Sequence, residues 1–343
     1  MVKRKMSILV GVLSGLFVLS GCGDLGAQST NYKEFVNGFE LEAQEHTIEC
    51  EINGDCQQTY KCNKKTKQVM SGNINGVPQY TTRTTWDECP HATHETTYTV
   101  KTTAGDIVYA ENLRTGEYLQ DKTAIPATEE PPESWVGAKE RLENGESRPV
   151  TVLKDTQREP HKLNISEELQ ESIDSLEKDW FLPYFPDKTS FDGKVDKAHF
   201  VHYEPDHDYN EDLAYLNGAL AIDEQDIDVH VVFVHDNLDI EPELYTESLV
   251  TYWQQDRPGS TSLHPHNLVL VMGVDPEDQV TWVQTHTGHI SDGERISDEL
   301  EERLSGTVLD ESFVGRPSYD VETGTVMQSD GILETVLWNS LQE

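Results

Sequence analysis

Apolar positions fall into two regimes along the 343-residue chain: from Leu163 onward they recur at helical or strand spacing, and before it they are sparse and interleaved with threonine. Ile165, Leu169, Ile173 and Leu176 stand three or four apart behind an Asn164 or Ser166 cap, which predicts a helix over 164–176. A second helix is expected from Glu211 to Leu220. Residues 228–235 read Asp-Val-His-Val-Val-Phe-Val-His, too dense in valine for a half-exposed strand and so expected to be central. Leu244, Leu249 and Trp253 mark a helix over 241–253, and Asn267-Leu-Val-Leu-Val-Met-Gly273 is a second buried strand. Asp275-Pro-Glu-Asp278 is then a turn, with a third strand over 280–284 closing a hairpin. An amphipathic helix follows over 291–304, and Ile332, Val336 and Leu337 offer one more. The order helix, strand, helix, strand, strand, helix predicts an α/β layer over 163–343 with a mixed sheet, because only the first crossover is long enough for parallel pairing.

Upstream, Tyr80 to Trp86, Thr96 to Thr103 and Ile107 to Ala110 alternate Thr, Tyr and Val around an Ala104-Gly-Asp106 turn, a hairpin signal. Residues 32–120 also hold Cys50, Cys56, Cys62 and Cys89, spaced by five, five and twenty-six residues. These spacings lack the close pairs of zinc modules, so two disulfides are expected, with three pairings open. The reading is a small disulfide-stapled β module. Residues 121–162 shift to Pro, Glu, Ser and Gly around Glu129-Glu-Pro-Pro-Glu-Ser134 and read as an acidic linker or strap, in which Trp135 and Val150-Thr-Val152 could pack locally.

Charge narrows the partners. Lys and Arg total 26 against 63 Asp and Glu, a formal charge of -37, which disfavours nucleic acid and anionic head groups alike. The acids are spread along the chain, as in a surface kept hydrated at high salt. At the N-terminus, Met1-Val-Lys-Arg-Lys-Met-Ser7 precedes an apolar run from Ile8 to Leu19, too short for a stable membrane span of about 20 residues. These are the parts of an export signal over residues 1–21. Leu19-Ser20-Gly21-Cys22 resembles the bacterial lipobox, which implies acylation of Cys22, cleavage before it, and a lipid anchor with a polar tether over 22–31. Cleavage would remove Lys3, Arg4 and Lys5, the only charges of the signal, and bring -37 to -40.

The helix ending in Trp253, His266-Asn267 leading into the strand that ends at Gly273-Val-Asp275, and the turn at Thr287-Gly288-His289 together resemble the TPM domain of envelope and membrane-associated proteins. The similarity covers about Asn210 to Gly306. It implies the same α/β fold and, since such activity has been proposed for TPM proteins, a metal-dependent phosphatase-like hydrolase. The chain departs from the family in lacking an Arg soon after the second strand and a Gly-x-Gly-Leu-Glu-like turn after the third. A Cys-rich β region joined to this domain is also similar to uncharacterised membrane or virion-associated proteins of large tailed phages.

Candidate chemistry sits on the polar residues of this domain. Thirteen His include His91-x2-His94, His199-x2-His202, His264-x-His266 and His286-x2-His289; neutral imidazoles suit zinc, copper or nickel, though solvated loop histidines are the plainer reading. His202 to Asp208 adds carboxylates. His230 and His235, five apart, point to opposite faces of their strand, and one is expected to be a core histidine satisfied by backbone. Asp236 and Asp239 follow the first strand, and Asp275 and Asp278 follow its expected neighbour. If the strands are parallel, the four carboxylates open at one sheet edge and would suit Ca2+ or Mg2+, against a plainer role in turn capping. No nucleophile motif stands out. The functional expectation is a membrane-anchored envelope lipoprotein acting as a non-enzymatic binding module towards an envelope protein or surface component. The alternatives are the TPM-type hydrolase and a His-based metal-binding envelope protein.

Overall fold

The computed structural model describes residues 30–49, 59–74, 77–90, 94–109, 125–126, 131–158, 165–186, 195–222, 227–238, 240–255 and 263–341. The segment expected as an export signal (residues 1–21), Cys22, Cys50, Cys56, His91 and Asp239 lie outside the described residues, as do the side chains of Cys62, Cys89 and His94.

The N-terminal part is organised by one long strand. β1 (Thr30–Glu49) pairs through its first half with β7 (Pro149–Arg158) and through its second half with β4 (His94–Thr102), both antiparallel. The change of partner falls between Phe39 and Glu40, next to a register shift between Glu40 and Glu42. β4 also pairs with β5 (Ile107–Tyr109) across the Ala104-Gly-Asp106 turn, the hairpin the threonine pattern predicts, and with β6 (Ile125–Pro126). A separate hairpin joins β2 (Thr59–Ile74) and β3 (Val77–Pro90).

The segment expected as a linker contributes structure to this sheet. α1 (Glu133–Glu143) buries Trp135 and Ala138 against it, and the Trp135 indole N–H donates to Thr99 O at 3.1 Å. Tyr98 meets Trp135 edge-on at 4.8 Å, and Val150 and Val152 of β7 complete the cluster. Two buried positions in eleven do not make a visible helical period; the helix is defined by the sheet it docks on.

The C-terminal part is a four-stranded mixed sheet in the order β11-β10-β9-β8. β8 (Ala198–Val201), β9 (Asp228–His235) and β10 (Asn267–Val274) are parallel, and β11 (Val280–Thr287) returns antiparallel. The mixed sheet and its parallel first crossover match the sequence reading; β8, only four residues long, adds a second parallel pair that the pattern did not announce. α2 (Glu167–Lys178) and α4 (Pro242–Gln254) cover one face, over Val232, Val234, Val269 and Val271. α3 (Tyr209–Ile222), α5 (Gly293–Leu304) and α6 (Ile332–Leu341) cover the other, over Val229, Val231, Leu268 and Leu270. Ser166 caps α2 by accepting from Leu169 N–H, with Glu167 and Glu168 in its first turn and Lys178 in its last, each complementing the helix dipole. A short hairpin, β12 (Ser318–Asp320) and β13 (Thr325–Met327), stands between α5 and α6 in sequence.

The two sheets share a core. Phe39 of β1 is fully buried among the apolar residues of α3 and β9. The close approach needs Gly218 on α3, where a methyl group would stand 2.9 Å from the Phe39 ring and 3.1 Å from Gly38 O.

Candidate functional site

On β9 the period of two places Asp228 and His230 on the face of Val232 and Val234, an acid and an imidazole in an otherwise apolar row. His230 is not satisfied by backbone: its Nε2–H donates to Asp228 Oδ2 at 3.0 Å. That leaves Nδ1 as an acceptor, 3.4 Å from His199 Nε2 on β8. The other carboxylate oxygen pairs with Lys197 Nζ, from the residue just before β8. Two groups reach in from the N-terminal sheet. Asn37 Nδ2 donates to Asp228 Oδ1 at 3.1 Å, and Thr151 Oγ1 donates to Asn37 Oδ1 at 2.9 Å. The Lys197 ammonium lies 5.0 Å over the Phe35 ring, a cation–π contact.

This cluster is sealed, with Lys197 1%, Asp228 2% and His230 0% exposed. Burial alone would raise the Asp228 carboxyl, but Lys197 and His230 more than reverse this and hold it far below the usual carboxylate range. Burial lowers His230, reinforced by Lys197 against the opposing pull of Asp228; burial, His230 and Lys197 lower His199 well below its ordinary value. Both rings are neutral near pH 7. The arrangement has the parts of a proton relay, is closed to solvent at Lys197, Asp228 and His230, and joins the two sheets through Asn37 and Thr151. Sequence reasoning missed Lys197, Asn37 and Thr151, which are distant in the chain; the usable signal was Asp228 and His230 two apart in a strand built of valine.

An accessible concavity lies elsewhere. A cleft of about 740 Å³ opens between the loop at 145–148, α3 and the β12–β13 hairpin. Arg316 crosses it, donating to Glu211 Oε1 at 2.6 Å with its guanidinium 4.5 Å over Tyr215. Tyr319 forms another wall and stacks on Phe39 at 5.2 Å, while Arg148 and Met327 reach the rim.

Because β9 and β10 are parallel, the loops after both open at one sheet edge, as the carboxylate reading requires. Asp236 N–H bonds Val274 O at 2.9 Å, and its carboxylate lies 3.4 Å from His235. Asp275 Oδ1 accepts from Glu277 and Gln279 N–H at 3.0 and 2.8 Å, a side-chain turn, and Asp278 accepts from Tyr203 OH at 2.7 Å. Among the described residues, no group of three or more His, Cys, Asp or Glu is placed to hold a metal ion. The His199 and His202 pair separates: His199 is buried, whereas His202 is exposed against Phe181. His264, His266 and His289 do come together on adjoining loops, with ring centres 5.7 and 6.4 Å apart in succession. No helix among the described residues is long and apolar enough to cross a membrane.

These features define an α/β sheet covered by helices on both faces and joined to an antiparallel sheet through a buried ionic cluster. No protein-family model, curated protein or solved structure matches the chain.

Proposed function

We propose that this chain is an exported lipoprotein, acylated at Cys22, whose folded part is a non-enzymatic binding module on the outer face of the membrane or within the cell envelope. One observation carries the binding reading. The residues with acid–base chemistry, Lys197, Asp228 and His230, are closed to solvent, whereas the open cleft is walled by Arg316, Glu211 and Tyr215, polar groups that satisfy one another and offer shape and charge to a partner. In this reading Cys50, Cys56, Cys62 and Cys89 form two disulfides that stiffen the N-terminal module, suited to an oxidising compartment.

The test has two arms. Lipid labelling of the intact protein in its host should be lost in Cys22→Ala. A photoreactive side chain at Met327, on the cleft rim, should give a discrete adduct in intact envelopes that Arg316→Ala abolishes. Persistence of the label in Cys22→Ala, or of the adduct in Arg316→Ala, would count against the corresponding half of the reading.

A second reading, the TPM-type hydrolase with Ca2+ or Mg2+ at Asp236, Asp239, Asp275 and Asp278, is favoured by the parallel pairing of β9 and β10 alone. It requires phosphomonoester turnover across divalent metals that vanishes in Asp236→Asn or Asp275→Asn.

A further inference from the structure

α2 ends in a Schellman turn: Phe181 N–H bonds Leu176 O at 2.9 Å and Trp180 N–H bonds Glu177 O at 3.1 Å. The left-handed position of that turn, which glycine takes without penalty, is held by Trp180 at φ +62°. Packing does not offset the local strain, because Trp180 is 76% exposed. Four residues on, Tyr184 is 62% exposed. The chain between them is pinned. Tyr245 OH donates to Phe181 O at 2.7 Å, Leu182 is buried, and the Trp253 indole N–H donates to Pro183 O at 2.8 Å. Phe185 then packs on Trp253 at 5.4 Å and on Phe35 at 6.1 Å. Two large rings are thus held outward on a fixed frame, so little ordering entropy remains to be lost when they meet a partner.

Position and chemistry indicate which partner. Phe35 lies on β1 five residues beyond Thr30, where the described fold begins. Cys22 is eight residues before Thr30, and eight residues reach at most about 28 Å fully extended. An acyl anchor at Cys22 therefore keeps the first half of β1, and the loop touching it, close to the bilayer. Trp and Tyr, each with an apolar body and a polar tip, are the residues enriched where membrane meets water. A chain of formal charge -37 cannot rely on general attraction to anionic head groups.

We propose that Trp180 and Tyr184 seat in the head-group region of the bilayer that carries the anchor, an inference that rests on the acylation of Cys22 for its setting. It has a signature opposite to that of a basic patch: added salt screens the repulsion between the acidic surface and anionic lipid and strengthens the contact.

The full chain, held by its anchor in phosphatidylcholine vesicles with brominated acyl chains, should show tryptophan quenching that disappears in Trp180→Gly, a variant that places the preferred residue in the turn. The chain from residue 23 onward, which carries every described element, should partition into plain vesicles about tenfold better than Trp180→Gly/Tyr184→Ser, given the aromatic area at stake. Its partition into vesicles containing anionic lipid should rise with salt. Equal quenching of wild type and Trp180→Gly, or equal partition of the anchor-free chains, overturns the contact, and ring-dependent binding to a protein with no vesicle partition assigns the rings to that protein instead. Absence of lipid on Cys22 overturns only the anchor, since the anchor-free partition still reads the contact.

Discussion

Asn37 on β1 donates a 3.1 Å hydrogen bond to Asp228 Oδ1 at the start of β9, across 191 residues of chain. Thr151 on β7 fixes the orientation of that amide by donating to its oxygen, so the NH2 group faces the carboxylate. The bond joins the antiparallel sheet to the mixed one, and both partners are buried. An exposed bond of this length would contribute little; here, loss of either partner leaves a polar group stranded away from water.

The ion pair beneath that bond sets the largest expected effect. Asp228→Asn should leave the Lys197 ammonium uncompensated in the interior and destabilise the fold by about 3–5 kcal/mol. Lys197→Met combined with Asp228→Asn should lose less than the single Asp228→Asn change, since no buried charge then remains. Urea unfolding of the three chains checks the order, and a double variant less stable than Asp228→Asn would refute it.

Acid should loosen the same cluster in two stages. In the unfolded chain His199 and His230 take up protons below their ordinary 6.5, while in the folded chain burial and the nearby positive charge hold both rings neutral to lower pH. The unfolded state then binds more protons, so stability falls as pH drops below about 6.5. Asp228, whose folded carboxyl titrates far below its ordinary 3.8, adds stability that is present above that value and lost as pH falls beneath it. The urea midpoint of His199→Gln should accordingly fall less than that of the wild type between about pH 7.5 and pH 5, in line with the removed proton site.

Gly273 on β10 pairs with Trp282 on β11, whose indole lies over it; a methyl group there would stand 2.0 Å from the ring nitrogen. Gly273→Ala should displace the indole and cost about 1–3 kcal/mol, the range for overpacking. Thermal unfolding measures the loss, and a changed emission from Trp282 would report the displaced ring.

Trp180→Gly should raise stability by about 0.5–1 kcal/mol, because it relieves the left-handed backbone position while giving up a side chain that is mostly in water. A destabilised variant would mean that the indole packs against the fold in solution.

Most of the C-terminal architecture was legible in sequence because each element carries its own period. Leu169 and Ile173 mark α2, the valines of 229–234 mark β9, and both are buried as their spacing requires. β8 was not legible: four residues that include a buried His199 and a partly exposed Phe200 do not alternate in a way that separates strand from loop. α1 and β7 were hidden for a related reason, since Trp135, Ala138, Val150 and Val152 acquire meaning only through β1 and β4 beside them. Of the candidate chemistry, the parallel edge behind Asp236 and Asp275 followed from crossover length, whereas the convergence of His264, His266 and His289 depended on how two loops close.

Local period, turn chemistry and charge already encode the succession of helices and strands from α3 through α5, the β4–β5 hairpin and the acidity of the chain, because these are properties of neighbouring residues. Long-range packing, by contrast, divides β1 between two partners, uses the acidic segment after residue 130 to complete a sheet, and brings Lys197, Asp228, His230, Asn37 and Thr151 into one sealed cluster. Such pairings bring together residues up to 191 positions apart, and burying a charge there is tolerable only when every partner arrives at once. That condition belongs to the folded chain as a whole, and no local pattern records it.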